Sequence, residues 1–334
     1  MVRNHPSERI AGAVILLVLT VLIPTSRAAD DPETIANKAF ELRLAGQADE
    51  AVQLLEDGLA QRPEAGILHH ELARARLLLL DIQGMNEAAE AAVSFEPDNS
   101  EYRYFAAIAA AYAVIDAAHN QDENRMEVMG RKAFDQLAAV LQTDPDHHEA
   151  RFRLVQLSRD LAPQIGLEVD DPEDHVRRLE ADDPIMGAKA RCCLADEVEQ
   201  RKIWERILAE HPEDCRALVE VAEGLIELGE LDLAETCLGK AMAKDKQNCY
   251  GLLRLGLAYA MKSDWDRAIR LTRQYLDTEP PLALKAFAVG RLGIIHQKMG
   301  DRDRGKELME EARGLDPHVW LTVMPPPKEI FVAL

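Results

Sequence analysis

Basic charge is what this sequence has least to spare. Its 39 Lys and Arg stand against 59 Asp and Glu, a formal net charge of −20 with a pI near 4.9. A nucleic-acid partner is not expected from such a chain, because phosphate binding needs a basic stripe. A basic protein or peptide is the better electrostatic match; the plain alternative is that the acid only keeps the chain soluble. Motifs for turnover are missing too. The chain holds no G-x-S-x-G, no Gly-rich phosphate loop and no H-E-x-x-H. It therefore reads as non-catalytic, with no cofactor and no evident small-molecule substrate. The five cysteines, Cys192, Cys193, Cys215, Cys237 and Cys249, form no C-x-x-C, and an odd number leaves at least one thiol free in a single chain. Cys237 and Cys249 are the best-placed pair for a disulfide; buried free thiols acting as small apolar fillers are the alternative. Aromatics are only 5% of the chain, as all-helical packing of small residues against large ones gives.

Metal ligands are also short. His69-His70-Glu71 and Asp144-Pro145-Asp146-His147-His148-Glu149 carry vicinal histidines. Neighbours on a helix point about 100° apart, whereas helical zinc motifs place His at i and i+4. No metal site is expected from them.

One apolar run, Ile10 to Ile23, follows Arg3 and Arg9 and precedes Pro24-Thr25-Ser26-Arg27-Ala28. It falls short of the ~20 residues that span a bilayer. Residues 1–28 therefore read as a secretory signal peptide, cut after Ala28 or Ala29, and the mature chain as exported, periplasmic if bacterial. An uncleaved membrane anchor is the other reading.

What is present is a repeat. In Cys249 to Pro280, Leu255-Gly256, Tyr259, Ala268 and Pro280 mark two helices of matched length. Gly256 and Ala268 are small where the helices cross, and Leu252, Leu255, Leu271 and Leu276 supply the apolar seam. Asp264 is placed to cap the second helix, and Pro280 ends it. This stretch resembles the tetratricopeptide repeat (TPR), a 34-residue helix–turn–helix unit. The same landmarks recur in phase. Ala39, Gly46, Ala51 and Pro63 mark a first unit; Leu72-Ala73, Ala92 and Pro97 a second; Ala222, Gly229, Ala234 and Ala241 a sixth; Leu292-Gly293, Gly300, Ala312 and Pro317 an eighth. The resemblance implies an all-α fold, an α-solenoid of about eight helix pairs in a right-handed superhelix.

Two irregularities interrupt it. Pro97 to Pro145 spans 48 residues instead of 34, with the extra 14 between Tyr112 and Lys132, no proline and one glycine among them. Divided equally, they add two turns to each helix, giving a protruding hairpin with its tip near His119 to Glu123; a polar loop is the alternative. Pro184 to Pro212 spans only 28 residues, and Pro163 and Gly166 break the pattern before it. The chain thus divides into a leader (1–28), an N-terminal array with an extended third hairpin (29–159), degenerate repeats with a candidate hinge (160–214), a C-terminal array (215–317) and an extended tail (318–334). The tail carries Pro325-Pro326-Pro327 and the apolar, β-prone Glu329 to Leu334. It reads as a segment folded back on the array, or as a ligand for a carboxylate-capturing domain.

In TPR proteins the first helices of the units line a concave face that holds a partner's peptide or helix. Carried over unit by unit, the residues facing it are Phe40, Arg43, His70, Arg74, Tyr104, Ile108, Tyr112, Phe152, Arg159 and Tyr250, with Glu223, Leu257 and Lys298 beside them. The structural alternative is that several simply pack between neighbouring helices. The chaperone-binding clamp of the family opens with positions that are Ala36 and Phe40 here, so the resemblance does not extend to that activity. The implied role is a scaffold or adaptor of the cell envelope, serving an assembly or secretion system. Self-association through the third hairpin or the tail is the alternative, and an enzyme hidden near Asp174 and His175 a third.

Overall fold

The structure, a computed structural model, describes residues 31–245 and 250–319. The expected leader at 1–28 and nearly all of the expected tail lie outside that range. The described residues form sixteen α-helices and no strand. In order they are α1 (Pro32–Leu44), α2 (Ala48–Gln61), α3 (Gly66–Leu78), α4 (Ile82–Phe95), α5 (Ser100–His119), α6 (Glu123–Thr143), α7 (His148–Asp160), α8 (Pro172–Asp182), α9 (Pro184–Leu194), α10 (Glu197–Glu210), α11 (Cys215–Glu227), α12 (Leu231–Lys244), α13 (Tyr250–Met261), α14 (Trp265–Leu276), α15 (Leu282–Lys298) and α16 (Arg302–Leu315). They pack as eight antiparallel pairs. The odd-numbered helices also touch one another, α1 on α3, α7 on α9, α9 on α11 and α11 on α13, and so form one face of an α-solenoid.

Eight of the described helices start where the sequence supplies a carboxylate acceptor. Asp81, Asp122, Asp171, Asp183, Asp196, Asp214, Asp264 and Asp301 each accept a backbone N–H from the first turn that follows. Part of the acidic excess is therefore local: a carboxylate at a helix N-terminus satisfies a free donor and meets the positive end of the helix dipole. The last two pairs close where small residues meet. A Cβ on Gly256 would lie 3.3 Å from the Ala268 carbonyl oxygen, and one on Gly293 would lie 2.9 Å from that of Gly305. Leu55, Leu68, Leu77, Leu137, Leu218, Leu238, Leu253 and Leu255 fill the seams with almost no exposure.

The long third pair and the irregular fourth are one packing unit. α5 and α6 run 20 and 21 residues, against 13 and 14 in the second pair, and turn at 120–122. The added turns are backed by the residues after α7. Leu161, Ala162 and Ile165 are buried with Val114 and Phe134, and Met126, Met129 and Leu167 pack around them. Gly130 gives Ile165 its room, since a Cβ there would stand 2.8 Å from Ile165 Cδ1. Within the candidate hinge at 160–214, residues 168–171 are exposed throughout. The shortening before Pro212 has a simple origin. Asp183 alone joins α8 to α9, ending the first and capping the second, α9 has 11 residues, and only 195–196 separate it from α10.

Cys192 and Cys237 are buried free thiols, and Cys193 and Cys215 are half-buried. Cys249 lies outside the described residues. Among the described residues, no helix is long and apolar enough to cross a membrane.

Candidate partner-binding groove

On the odd-helix face a groove of about 720 Å³ runs from α3 to α11. Helical spacing builds it. α5 turns Glu101, Tyr104, Phe105 and Ile108 into it, an i, i+3, i+4, i+7 stripe; α7 and its cap add His147, His148, Glu149, Phe152 and Arg153. α3 supplies His70 and Arg74, α9 and its cap supply Asp183, Met186 and Lys189, and α11 supplies Arg216 and Glu220. The floor is apolar: Phe105, Ile108, Phe152 and Met186. A smaller pocket of about 140 Å³ continues it between α5, α6 and α7, sharing Ile108 and Arg153 and adding Tyr112 and Leu157.

Two charge pairs close across that floor. Lys189 Nζ donates to Glu220 at 2.6 Å and lies 5.3 Å from the centre of the Phe152 ring. Arg216 meets Asp183 at 2.6 Å, and His148 Nδ1 stands 3.8 Å from the same carboxylate. Asp183 also accepts the amides of Ile185 and Met186. Burial alone would raise its pKa, but the Met186 amide and Arg216 outweigh that and hold it below the usual carboxylate range. Asp183 thus ties α7, α9 and α11 together. Four carboxylates (Glu101, Glu149, Asp183, Glu220) face four cations (Arg74, Arg153, Lys189, Arg216), so the groove itself carries no net charge.

Five residues read from the sequence line the groove: His70, Arg74, Tyr104, Ile108 and Phe152. His70 and His69 point apart. His69 meets the Pro63 carbonyl at 2.8 Å and stacks on Phe95, while His70 is buried, stacked on Tyr102 at 4.7 Å between ring centres. Tyr104 leans on His147. Tyr112 lies in the smaller pocket. Arg43 needs correction as a contact residue. It is wholly buried and meets Glu71, which Arg74 also contacts at 3.0 Å, so a partner cannot reach it. Phe40, 38% exposed, lies outside the lining with the Arg43 guanidinium 5.4 Å from its ring centre. Arg159 also lies off the groove, held by Asp160 and by the Cys193 carbonyl at 2.7 Å. Farther along, Glu223 and Leu257 are buried and Lys298 is exposed, none of them in the lining. Tyr250 opens α13, and its side chain lies outside what is described. Phase alone missed Phe105, Met186, Lys189 and Arg216; the stripe through Tyr104 and Ile108 was the available signal for Phe105.

His70 gives the site a pH signature. Burial, then Arg74 and Arg43, push its pKa down from 6.5 to about 3. The unfolded chain therefore takes up a proton below pH 6.5 that the folded chain refuses until about pH 3. The contribution is fully present above pH 6.5 and is lost as the pH falls, by up to ~1.4 kcal/mol per pH unit. Urea titrations between pH 7 and 4 are expected to show a shallower loss of stability in His70→Phe than in the parent. Parallel curves would contradict the neutral, buried His70.

No metal-ligating group of three or more His, Cys, Asp or Glu occurs among the described residues. Beyond the groove, His175 contacts Arg151 at 3.3 Å, and burial together with that guanidinium lowers its pKa. Asp174 pairs with Arg177.

Comparison with known proteins bears on one helix pair in particular. Residues 250–281, which hold α13 and α14 with Gly256 against Ala268, match the model of the tetratricopeptide repeat. These residues form a tetratricopeptide repeat (TPR) unit. No curated protein matches this chain. Among solved structures it is similar to TTC0263, a thermophilic TPR protein of Thermus thermophilus, at 16% identity over 68% of this chain and 98% of that one, with a TM-score of 0.43. It is also similar to a TPR protein from Parabacteroides merdae, at 13% identity over 90% and 96% of the two chains, with a TM-score of 0.41. The MamA protein is similar at 16% identity over 63% and 91%, with a TM-score of 0.30.

Proposed function

We propose that this protein is a non-catalytic scaffold that holds a segment of a protein partner in the groove between α3 and α11. One observation carries the reading: an apolar floor on three successive units, α5, α7 and α9, framed by the Lys189–Glu220 and Arg216–Asp183 pairs. Such a site favours apolar side chains set between charged ones, whose charges exchange with the existing pairs. Its volume falls within the ~300–1,000 Å³ of ligand pockets and suits a short segment rather than a folded domain. The net charge of −20 acts at longer range and favours approach of a basic partner. The proposal includes export to the cell envelope and service in an assembly or secretion system there; this part is supported by the leader pattern at 1–28 alone.

Peptide selection on purified residues 29–334 tests the groove. Selected peptides are expected to lose more than tenfold in affinity with Tyr104→Ala, as truncation of an aromatic anchor gives, while helicity is unchanged. Equal affinity for both proteins would move the site elsewhere. A second reading, self-association through the α5–α6 hairpin, is favoured by Ile115 and Val128, 58% and 63% exposed on its added turns. Concentration-dependent sedimentation that Val128→Lys abolishes would carry it; a monomer at all concentrations would end it.

A further inference from the structure

The first and last units of the array touch. The turn between α1 and α2 lies against the end of α16: a Cβ on Gly46 would stand 3.2 Å from the Leu315 carbonyl oxygen and 3.4 Å from Asp316 Cβ. In α2, the Asp49 carboxylate meets the His318 imidazole, and α1 also lies against α15. Burial raises the pKa of the Asp316 carboxyl, and the nearby Asp49 charge adds to it.

This junction differs from every interior one. Buried apolar clusters link α1 to α5, α5 to α7, α7 to α9, α9 to α15 and α14 to α16 in turn. Among the described residues, none joins the first pair to the last. The closing contact consists of a turn glycine, one exposed side-chain pair, backbone and a limited approach of α1 to α15. Exposed pairs of this kind contribute little. In a repeat array, stability is close to a sum over neighbouring units, and separating the two ends breaks no neighbour interface. The end-to-end contact is therefore the one that can part without splitting a buried apolar cluster.

We propose that the first and last repeats form an openable latch, which holds the array end to end in the free protein and parts at Gly46 and Leu315 when the groove changes width. The contact stands without the groove reading, and only its role in partner entry rests on it.

The test needs no partner. Spin labels are placed at Gln53 and Arg313, both exposed and on either side of the junction, through encoded ketone residues that leave the native thiols alone. The free protein is expected to show one narrow, short distance. Gly46→Asn is the wedge: Gly46 has φ +71°, a conformation Asn tolerates, and any side chain there meets Leu315. Gly229→Asn is the control, with φ +76° at the equivalent turn, where a Cβ meets only the flexible Lys262 Nζ at 3.6 Å. The wedge should add a longer population and the control should not, with helicity equal in all three. A broad, long distance in the parent would overturn the end-to-end contact. An unshifted distance in a folded Gly46→Asn would overturn the latch.

Discussion

Glu71→Ala is expected to destabilise the N-terminal units by about 3–5 kcal/mol, the range for removing one partner of a buried ion pair. Glu71 is 8% exposed and Arg43 not at all, and burial, only partly offset by Glu71, lowers the Arg43 pKa to about 10. Arg43 stays charged at neutral pH, so without Glu71 it would be a buried cation with no counter-charge. Its Nε and Nη1 already lack a hydrogen-bond partner, which leaves Glu71 as its compensation. Urea unfolding followed by circular dichroism measures the loss. Because units couple to their neighbours, hydrogen exchange should show it concentrated in α1 to α4. The double variant Arg43→Met, Glu71→Met should recover most of it, since apolar replacement of a whole buried pair is often neutral or better. A loss under about 1 kcal/mol in Glu71→Ala, the scale of an exposed pair, would mean that Arg43 is solvated.

Gly187→Ala carries the second large effect. Gly187 sits in α9 where that helix crosses α8, and a Cβ there would stand 2.5 Å from the Glu180 backbone nitrogen. A backbone cannot rotate away as a side chain can, so the two helices must separate. About 3 kcal/mol is expected, the upper end for overpacking. Gly239→Ala is the opposite case. It lies within α12, exposed, and a Cβ added there would have nothing within 4 Å. There alanine should add about 0.5–1 kcal/mol, the ordinary helical preference over glycine. Thermal melts of both variants decide the matter: equal and small effects would mean that α8 and α9 do not cross at Gly187.

The fold was legible because its landmarks are steric. Gly256 against Ala268 and Gly293 against Gly305 are required where two backbones meet, so they survive in a single sequence. Chain length was legible for the same reason, as Pro97 to Pro145 holds 14 residues more than one 34-residue unit. The site was legible only where the phase was. His70, Arg74, Tyr104, Ile108 and Phe152 follow from regular units. Asp183, Met186 and Lys189 come from α9 and its cap, where the one-residue link to α8 breaks the phase. Arg43 was misplaced for another reason. Phase puts it near the concave side, but whether an arginine there faces solvent depends on Glu71, 28 residues away. Nor does periodicity show that Leu161 and Ile165 anchor the irregular stretch onto the long hairpin.

The central claim is that the groove between α3 and α11 holds a partner segment. Its most direct measurement is photo-crosslinking of a selected peptide that carries a reactive group at its central apolar residue, with the site mapped by mass spectrometry. Crosslinks to Tyr104, Phe105, Ile108 or Met186, competed by unlabelled peptide, are the predicted result. Crosslinks confined to the even-numbered helices, with the groove residues unmarked, would contradict it.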